Sequence, residues 1–261
     1  PMLEEMRALM QLLNAQRVKR GSLDFDLDEA KITLNAAGKP TEVSIATRGP
    51  ANRMIEEFML IANETVAAHA FSMGFPLIYR VHETPDKTKL ADLNAFLNTL
   101  GYGMKNVGNV KAQTFQRILQ KAKGTKEENV VNRVVLRTMK KARYAPECLG
   151  HFGLAAPCYC HFTSPIRRYP DLMVHRILRE ILRGEMTKER IDVYGEKLAE
   201  IAQHCSEREV AAMEAERAAD DLKKCEYMQT RIGTVETGII SGVAQYGFFV
   251  QLSNTVEGMV R

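Results

Sequence analysis

Residues 161–175 read HFTSPIRRYPDLMVH and combine a rigid turn with a concentration of charge. Two arginines, Arg167 and Arg168, follow the Ser-Pro-Ile step, and Asp171 comes three residues later. Because proline disfavours helical backbone in the residue before it, Ser164 is expected to be extended and the approach to the arginines stiff. A guanidinium is always charged and matches phosphate with two parallel hydrogen bonds. The stretch therefore predicts a phosphate clamp or, alternatively, an Arg168–Asp171 pair that only holds the start of a helix.

The surrounding sequence alternates helical and strand patterns and predicts an α+β fold with a mixed sheet and many helices. Apolar spacing, N-terminal caps and closing glycines predict helices over 3–18, 51–73, 86–101, 111–123, 127–142 and 170–184, and two more within 188–229. Short alternating runs predict strands over 22–26, 31–34, 41–47, 76–82, 233–241, 244–252 and 256–260. In the helix 51–73, the buried stripe is expected at Ile55, Met59, Ala62 and Val66.

Length and composition are those of a globular protein. The chain has 261 residues, 45% of them hydrophobic and 26% charged, which suits one large domain or two smaller ones. Apolar runs stay short of the roughly 18 residues that a membrane helix needs, and no signal peptide is recognised. The chain starts inside a helical pattern without an initiator Met, which favours an internal fragment.

The five cysteines indicate reduced thiols. Their number is odd and their spacing irregular, unlike a disulfide framework, so we expect a cytoplasmic protein. The cluster Cys158-Tyr159-Cys160-His161 allows a zinc site as one interpretation. It lacks the second ligand pair of structural zinc sites, and small buried residues entering a turn are the favoured alternative.

Positive charge is concentrated in the middle of the chain. Residues 111–183 contain fifteen Lys and Arg against five Asp and Glu, within a chain of net charge +4. Such a basic segment suits a polyanion such as nucleic acid. A solvated helical surface is the alternative that charge alone leaves open.

The last thirty-one residues change to a pattern rich in glycine and β-branched residues. A predicted hairpin brings Tyr246, Phe248 and Phe249 together, with Phe248 and Phe249 on opposite sides, one in a core and one exposed. Small barrels of the OB type stack unpaired bases on such aromatics. Residues 231–261 resemble the first half of the ribosomal-protein S-one-type RNA-binding module, which sets a predicted domain boundary after residue 230.

The whole chain resembles the ribonuclease II/ribonuclease R family, in its ribonuclease R branch. The central match is LGHFGLAA (149–156) followed by HFTSPIRRYPDLMVHRIL. RGSLDFDLDEAKITL, IEEFMLIANETVAAH, YRVHETPD and MKKARY agree in the same order. By this resemblance, residues 1–230 are the C-terminal two-thirds of an RNB-type catalytic domain.

The resemblance implies hydrolytic, processive degradation of single-stranded RNA from its 3′ end, releasing nucleoside 5′-monophosphates with Mg²⁺ as cofactor. It makes Arg167 the catalytic arginine beside the scissile phosphate. It also implies RNA contacts from Arg168, Tyr169, Ser164, His161, Glu56 or Glu57, Glu216 and the aromatic residues Tyr246, Phe248 and Phe249. The expected partners are single-stranded RNA and structured RNA with a 3′ tail. A glutamate on a helix is more often simply solvated.

The metal ligands of the family are aspartates in a motif of the type DPxxAxDxDDA, which this sequence lacks. They are expected upstream or on a second chain, so this chain alone is expected to be inactive. Asp24, Asp26 and Asp28 look like substitutes, but they match a different family segment and share one side of a strand, which is as easily a solvent face.

Two other functions remain open from sequence. A non-catalytic RNA-binding protein that keeps the channel fits the basic segment and the aromatics equally well, and a clustered aspartate motif upstream would discriminate against it. A helical scaffold that docks an acidic protein fits the charge but leaves the Ser-Pro-Ile-Arg-Arg turn unexplained.

Overall fold

The computed structural model describes residues 1–25, 29–105, 107–108 and 110–261. The elements, in chain order, are α1 (Met2–Arg20), β1 (Ala30–Leu34), β2 (Pro40–Ile45), α2 (Pro50–Ser72), β3 (Tyr79–Val81), α3 (Lys87–Thr99), α4 (Ala112–Ala122), α5 (Glu128–Thr138), β4 (Arg143–Ala145), α6 (Tyr169–Leu182), α7 (Lys188–Gln229), β5 (Gly238–Ala244), β6 (Gly247–Leu252) and β7 (Glu257–Val260). The predicted α+β class is confirmed. Within the described ranges, no helix is long and apolar enough to cross a membrane.

The chain divides into two compact units. The first comprises Pro1–Phe25 and Gly49–Arg208, and the second comprises Asp26–Arg48 and Glu209–Arg261. This division does not coincide with the predicted boundary after residue 230. That boundary concerns where an RNA-binding module begins, and it stays a prediction.

The first unit has two hydrophobic cores. One surrounds the antiparallel pair β3–β4 and the inner face of α6, with Leu77, Ile78, Val174 and Ile177 almost completely buried. The other joins α3, α4 and α5 around Phe115, and the hydrophobic stripe of each helix faces it. The first core is the one that supports the segment 159–168, because Cys158 and Cys160 belong to it.

The second unit is built from two small antiparallel sheets and the C-terminal part of α7. β1 pairs with β2, and β5, β6 and β7 form a three-stranded meander in that order. Its core is small and centres on Val43, Tyr227 and Val256. Phe248 and Phe249 are both half-buried, so the expected split into one core and one exposed ring is wrong. The rings of Phe248 and Phe249 are therefore each covered only in part by the described residues.

Several element boundaries differ from the sequence prediction. Residues 188–229 form one continuous helix rather than two, since the segment contains no proline and its single glycine, Gly195, costs only about 1 kcal/mol in a helix. The predicted strand 76–82 shortens to β3. The first C-terminal strand starts at Gly238, because a turn in which Thr234 N–H donates to the Arg231 carbonyl occupies the preceding residues. Of the predicted strand 22–26, residues 22–25 are irregular and residue 26 lies outside the described residues.

The buried face of α2 is not the predicted apolar stripe. Glu57, Asn63, Ala67 and Ala70 are buried, whereas Ile55 is 51% exposed. Polar side chains can be buried at low cost only where hydrogen-bond partners compensate them, and both polar residues here have such partners. The polar side chains thus occupy the buried face of α2, and the exposed apolar side chain of Ile55 lies on a face that lines a cavity.

Candidate functional site

A cavity of about 500 Å³ lies between α2 and the segment 159–168 of the first unit. It combines apolar side chains with a few convergent polar groups, which is typical of ligand sites. The lining residues are Ala51, Asn52, Ile55, Glu56, Met59, Leu60, Asn63, Tyr159, His161 and Arg168. Glu56 is exposed, and both it and Asn63 line the cavity.

The turn that carries the two arginines is anchored by Asp171. The backbone N–H groups of Arg167 and Arg168 donate to the Ser164 carbonyl at 3.3 and 3.1 Å. Asp171 Oδ1 accepts from Ser164 N–H at 2.8 Å and from Arg168 Nη2 at 2.7 Å. Asp171 is fully buried, so these bonds are shielded from water and fix the turn.

Arg168 and Arg167 occupy different environments. Arg168 pairs with Asp171 and so holds the start of the helix, as one of the two interpretations of the sequence predicts. The same side chain also lines the cavity. Arg167 is exposed and, within the described part of the chain, makes no ion pair. Arg167 is not among the residues that line the cavity, although its positive charge is one of those that lower the pKa of His161. The turn therefore holds Arg168 in an ion pair with Asp171 and leaves the neighbouring Arg167 exposed.

His161 is a neutral imidazole. Burial lowers its pKa to about 2, with further contributions from the positive charges of Arg168, Arg80 and Arg167. Its Nδ1 lies 2.8 Å from the hydroxyl of Tyr144. A neutral imidazole has one donor and one acceptor nitrogen, so His161 contributes a hydrogen-bonding group to the cavity rather than a charge.

Asn63 ties the cavity wall to the core. Its Nδ2 donates to the Tyr159 hydroxyl at 3.0 Å, and its Oδ1 accepts from the Phe162 N–H at 3.0 Å. Cys160 Sγ contacts the Asn63 carbonyl at 3.4 Å. The sequence pattern assigned no functional role to Asn63 or to Tyr159. The signal for such a role in the sequence is that Asn63 is the polar residue at the end of the otherwise apolar run FMLIAN (58–63).

Glu57 and Glu64 both form ion pairs with α1. Glu57 Oε1 lies 2.8 Å from Arg17 Nη2, and both side chains are less than a tenth exposed. Glu64 Oε1 lies 2.6 Å from Arg20 Nη2. The Glu57 carboxylate is therefore already committed inside the protein, and of the two candidates only Glu56 faces the cavity.

The other predicted site residues lie outside this cavity's lining. Ser164 forms the turn through its backbone, and Tyr169 is 49% exposed at the start of α6. Glu216 is exposed on α7, in the second unit. That unit also contains Tyr246, Phe248 and Phe249, and Tyr246 is 68% exposed at the two-residue tip of the β5–β6 hairpin. These RNA contacts stay predictions.

The described residues do not fit a metal centre. No group of three or more His, Cys, Asp or Glu among them is arranged to hold an ion. Asp24 is exposed, and Asp26 and Asp28 lie outside the described residues. Cys158 and Cys160 are buried free thiols, and burial raises both of their pKa values. Carboxylates are the usual ligands of Mg²⁺, and the cavity offers only Glu56.

Two further histidines support the neighbouring turn 150–156. His82 Nδ1 accepts from Gly153 N–H at 3.1 Å, and His151 Nδ1 accepts from Leu154 N–H at 3.2 Å. A side chain at Gly153 would have its Cβ only 3.0 Å from His82 Nδ1, so glycine permits this close approach. Burial lowers the pKa of both rings, that of His151 to about 3.

These histidines predict acid sensitivity of the first unit. Their pKa values are lower in the folded state than the ordinary 6.5, so they favour folding fully above pH 6.5 and lose this contribution as pH falls toward about 3. For His151 the loss at pH 5 is about 2 kcal/mol. Urea denaturation of the full-length protein at pH 7 and pH 5 measures it, and His151→Gln should flatten the pH dependence. An unchanged dependence in this variant would contradict the assignment.

Comparison with known proteins agrees with the geometry. The RNB domain family matches residues 1–184. Ribonuclease R 1 of Lactococcus lactis is 46% identical over 98% of this chain and 31% of its own length, and ribonuclease R of Aquifex aeolicus is 46% identical over 99% and 37%. The solved structure of Mycoplasma genitalium RNase R in complex with ribose-methylated single-stranded RNA superposes with a TM-score of 0.93 at 32% identity, covering 98% of this chain and 41% of that one. The chain thus spans about a third of the length of these relatives. It belongs to the RNB domain family, in its ribonuclease R branch.

Proposed function

We propose that this chain forms one wall of an RNA channel in a 3′ to 5′ exoribonuclease. The full-length protein would degrade single-stranded RNA hydrolytically and processively and release nucleoside 5′-monophosphates. Structured RNA with a single-stranded 3′ tail would be a substrate as well. The observation that carries the proposal is the exposed guanidinium of Arg167, which makes no ion pair with the described residues. It lies on a fixed turn directly before Arg168, which lines the cavity together with His161.

The polar groups of the cavity suit an RNA backbone. The Arg168 guanidinium lines the cavity while paired with Asp171, and the neutral ring of His161 supplies a hydrogen bond without charge. Apolar side chains of α2, such as Ile55 and Met59, offer surfaces for bases of any identity. Recognition through backbone groups and non-specific apolar contact tolerates every sequence, as a degradative enzyme requires.

Arg167 is proposed to stabilise the charge that develops on the scissile phosphate. A catalytic cation must be available when the transition state forms, so it should not be neutralised by an internal carboxylate. Asp171 pairs instead with Arg168 and with the backbone of the turn. This arrangement positions Arg167 without consuming its charge.

The metal is proposed to be Mg²⁺, bound by residues of the full-length protein outside this chain. Nucleases of this family are hydrolytic and generally taken to be metal-dependent. When bound, the metal would supply activated water. Since the described residues do not fit such a site, this chain alone is expected to bind RNA without hydrolysing it. The free cysteines support a cytoplasmic location, which we also propose.

The proposal is tested with the full-length protein and a 5′-labelled single-stranded RNA. Stepwise shortening from the 3′ end in the presence of Mg²⁺, and its loss on chelation, is the expected result. A blocked 3′ end or a fully paired duplex without a tail should be the slower substrate. Binding without cleavage under all metal conditions would favour the non-catalytic RNA-binding protein. Failure to bind RNA would contradict both.

A further inference from the structure

We propose that Tyr144 is a positioning residue that fixes which ring nitrogen of His161 carries the hydrogen, so that His161 presents a hydrogen-bond donor to bound RNA. The inference rests on the proposed function, because it concerns how the same cavity recognises the strand. Tyr144 is not among the lining residues of the cavity and acts through His161.

The imidazole of His161 is held between two tyrosines. The Tyr144 hydroxyl lies 2.8 Å from Nδ1, and the two rings meet edge to face at 5.5 Å between centroids. The ring of Tyr159 meets His161 in a similar way at 5.9 Å. Tyr144 itself is 4% exposed, and its backbone N–H donates to Ser206 Oγ at 2.9 Å. The phenol therefore has a fixed position from which to select one form of the histidine.

The direction of the Tyr144–His161 hydrogen bond follows from the chemistry of the two groups. A phenol O–H is a stronger donor than a neutral imidazole N–H, and an imidazole nitrogen is the stronger acceptor. Arg80 lies over the Tyr144 ring, 4.7 Å from its centroid, and its positive charge makes the phenol a still better donor. Tyr144 therefore donates to Nδ1, and the hydrogen of His161 resides on Nε2.

The N–H on Nε2 suits the proposed ligand. His161 lines the cavity, and its Nε2 is not among the buried, unpartnered atoms found in the described residues. Phosphate oxygens only accept hydrogen bonds, and a ribose hydroxyl accepts them as well. The other tautomer would turn a lone pair towards the phosphate and repel it. Fixing the tautomer thus removes the unproductive half of the histidine population before RNA arrives.

A double-mutant cycle on the full-length protein tests the inference. The dissociation constant of a fluorescent single-stranded oligoadenylate is measured in a chelating buffer for wild type, Tyr144→Phe, His161→Gln and the double variant. Tyr144→Phe should weaken binding about twofold, because only about half of the histidine population would then present the donor. In the His161→Gln background, whose amide N–H substitutes for Nε2–H, the same change should have no effect. His161→Leu, which offers no donor, should weaken binding about tenfold.

Tyr194→Phe is the matched control. Tyr194 is a similarly buried tyrosine of the first unit, but its hydroxyl bonds to Glu180 at 2.8 Å. It should leave RNA binding unchanged, and thermal unfolding should show that all variants are folded. Equal losses from Tyr144→Phe in both backgrounds, or wild-type binding by His161→Leu, would overturn the role of Tyr144. Absence of RNA binding by the wild type would instead overturn the proposed function.

Discussion

Replacing Arg167 with alanine in the full-length protein is expected to slow the stepwise shortening of RNA about 10²- to 10³-fold. This is the typical loss on removing one group that stabilises charge in a transition state. Arg167 is exposed on a turn that Asp171 and the Ser164 carbonyl fix, so its removal should not disturb the fold. Arg168 still lines the cavity, and RNA binding should therefore fall less than about tenfold.

The rate is measured under single-turnover conditions with saturating enzyme, and binding is measured separately in chelating buffer. Arg183→Ala is the control, because Arg183 is an exposed arginine at the opposite end of α6. It should shorten RNA at the wild-type rate. Equal rates for wild type and Arg167→Ala would remove Arg167 from the reacting centre. A loss of binding that matches the loss of rate would make it a binding residue only.

The second large effect concerns two adjacent glutamates with different roles. Glu57→Ala is expected to destabilise the first unit by about 3–5 kcal/mol, because it leaves the Arg17 guanidinium buried without its counter-charge. Glu56→Ala removes an exposed carboxylate from the cavity and should change stability by less than about 0.5 kcal/mol. The denaturation midpoint of the full-length protein in urea measures both.

A double variant separates the two causes of instability. Arg17→Met combined with Glu57→Leu removes both charges and should recover most of the lost stability, since buried ion pairs often contribute little relative to apolar replacements. If Glu56→Ala were the destabilising change and Glu57→Ala the neutral one, the assignment of the two faces of α2 would be wrong.

Sequence reasoning correctly predicted most helices of the first unit, because apolar spacing, proline at the start and glycine at the end are local signals. It also located the turn 164–168 and gave both possible roles of Arg168. It was wrong about the buried stripe of α2, where Ile55 lines a cavity and Glu57 is buried. Hydrophobicity alone cannot show that Arg17, forty residues away in the chain, compensates a buried carboxylate.

Residue types at short and fixed spacing were enough to predict the family, the α+β class and the rigid, doubly charged turn. Two features are known only from the folded protein: Asp171 binds Arg168 and leaves Arg167 exposed, and the Tyr144 hydroxyl contacts His161. The first depends on the geometry of the turn, because Arg168 and Asp171 are only three residues apart, whereas the second joins residues 17 apart in the chain. Burial also sets the charge of His161, because the pKa of an imidazole depends on its desolvation and on neighbouring cations.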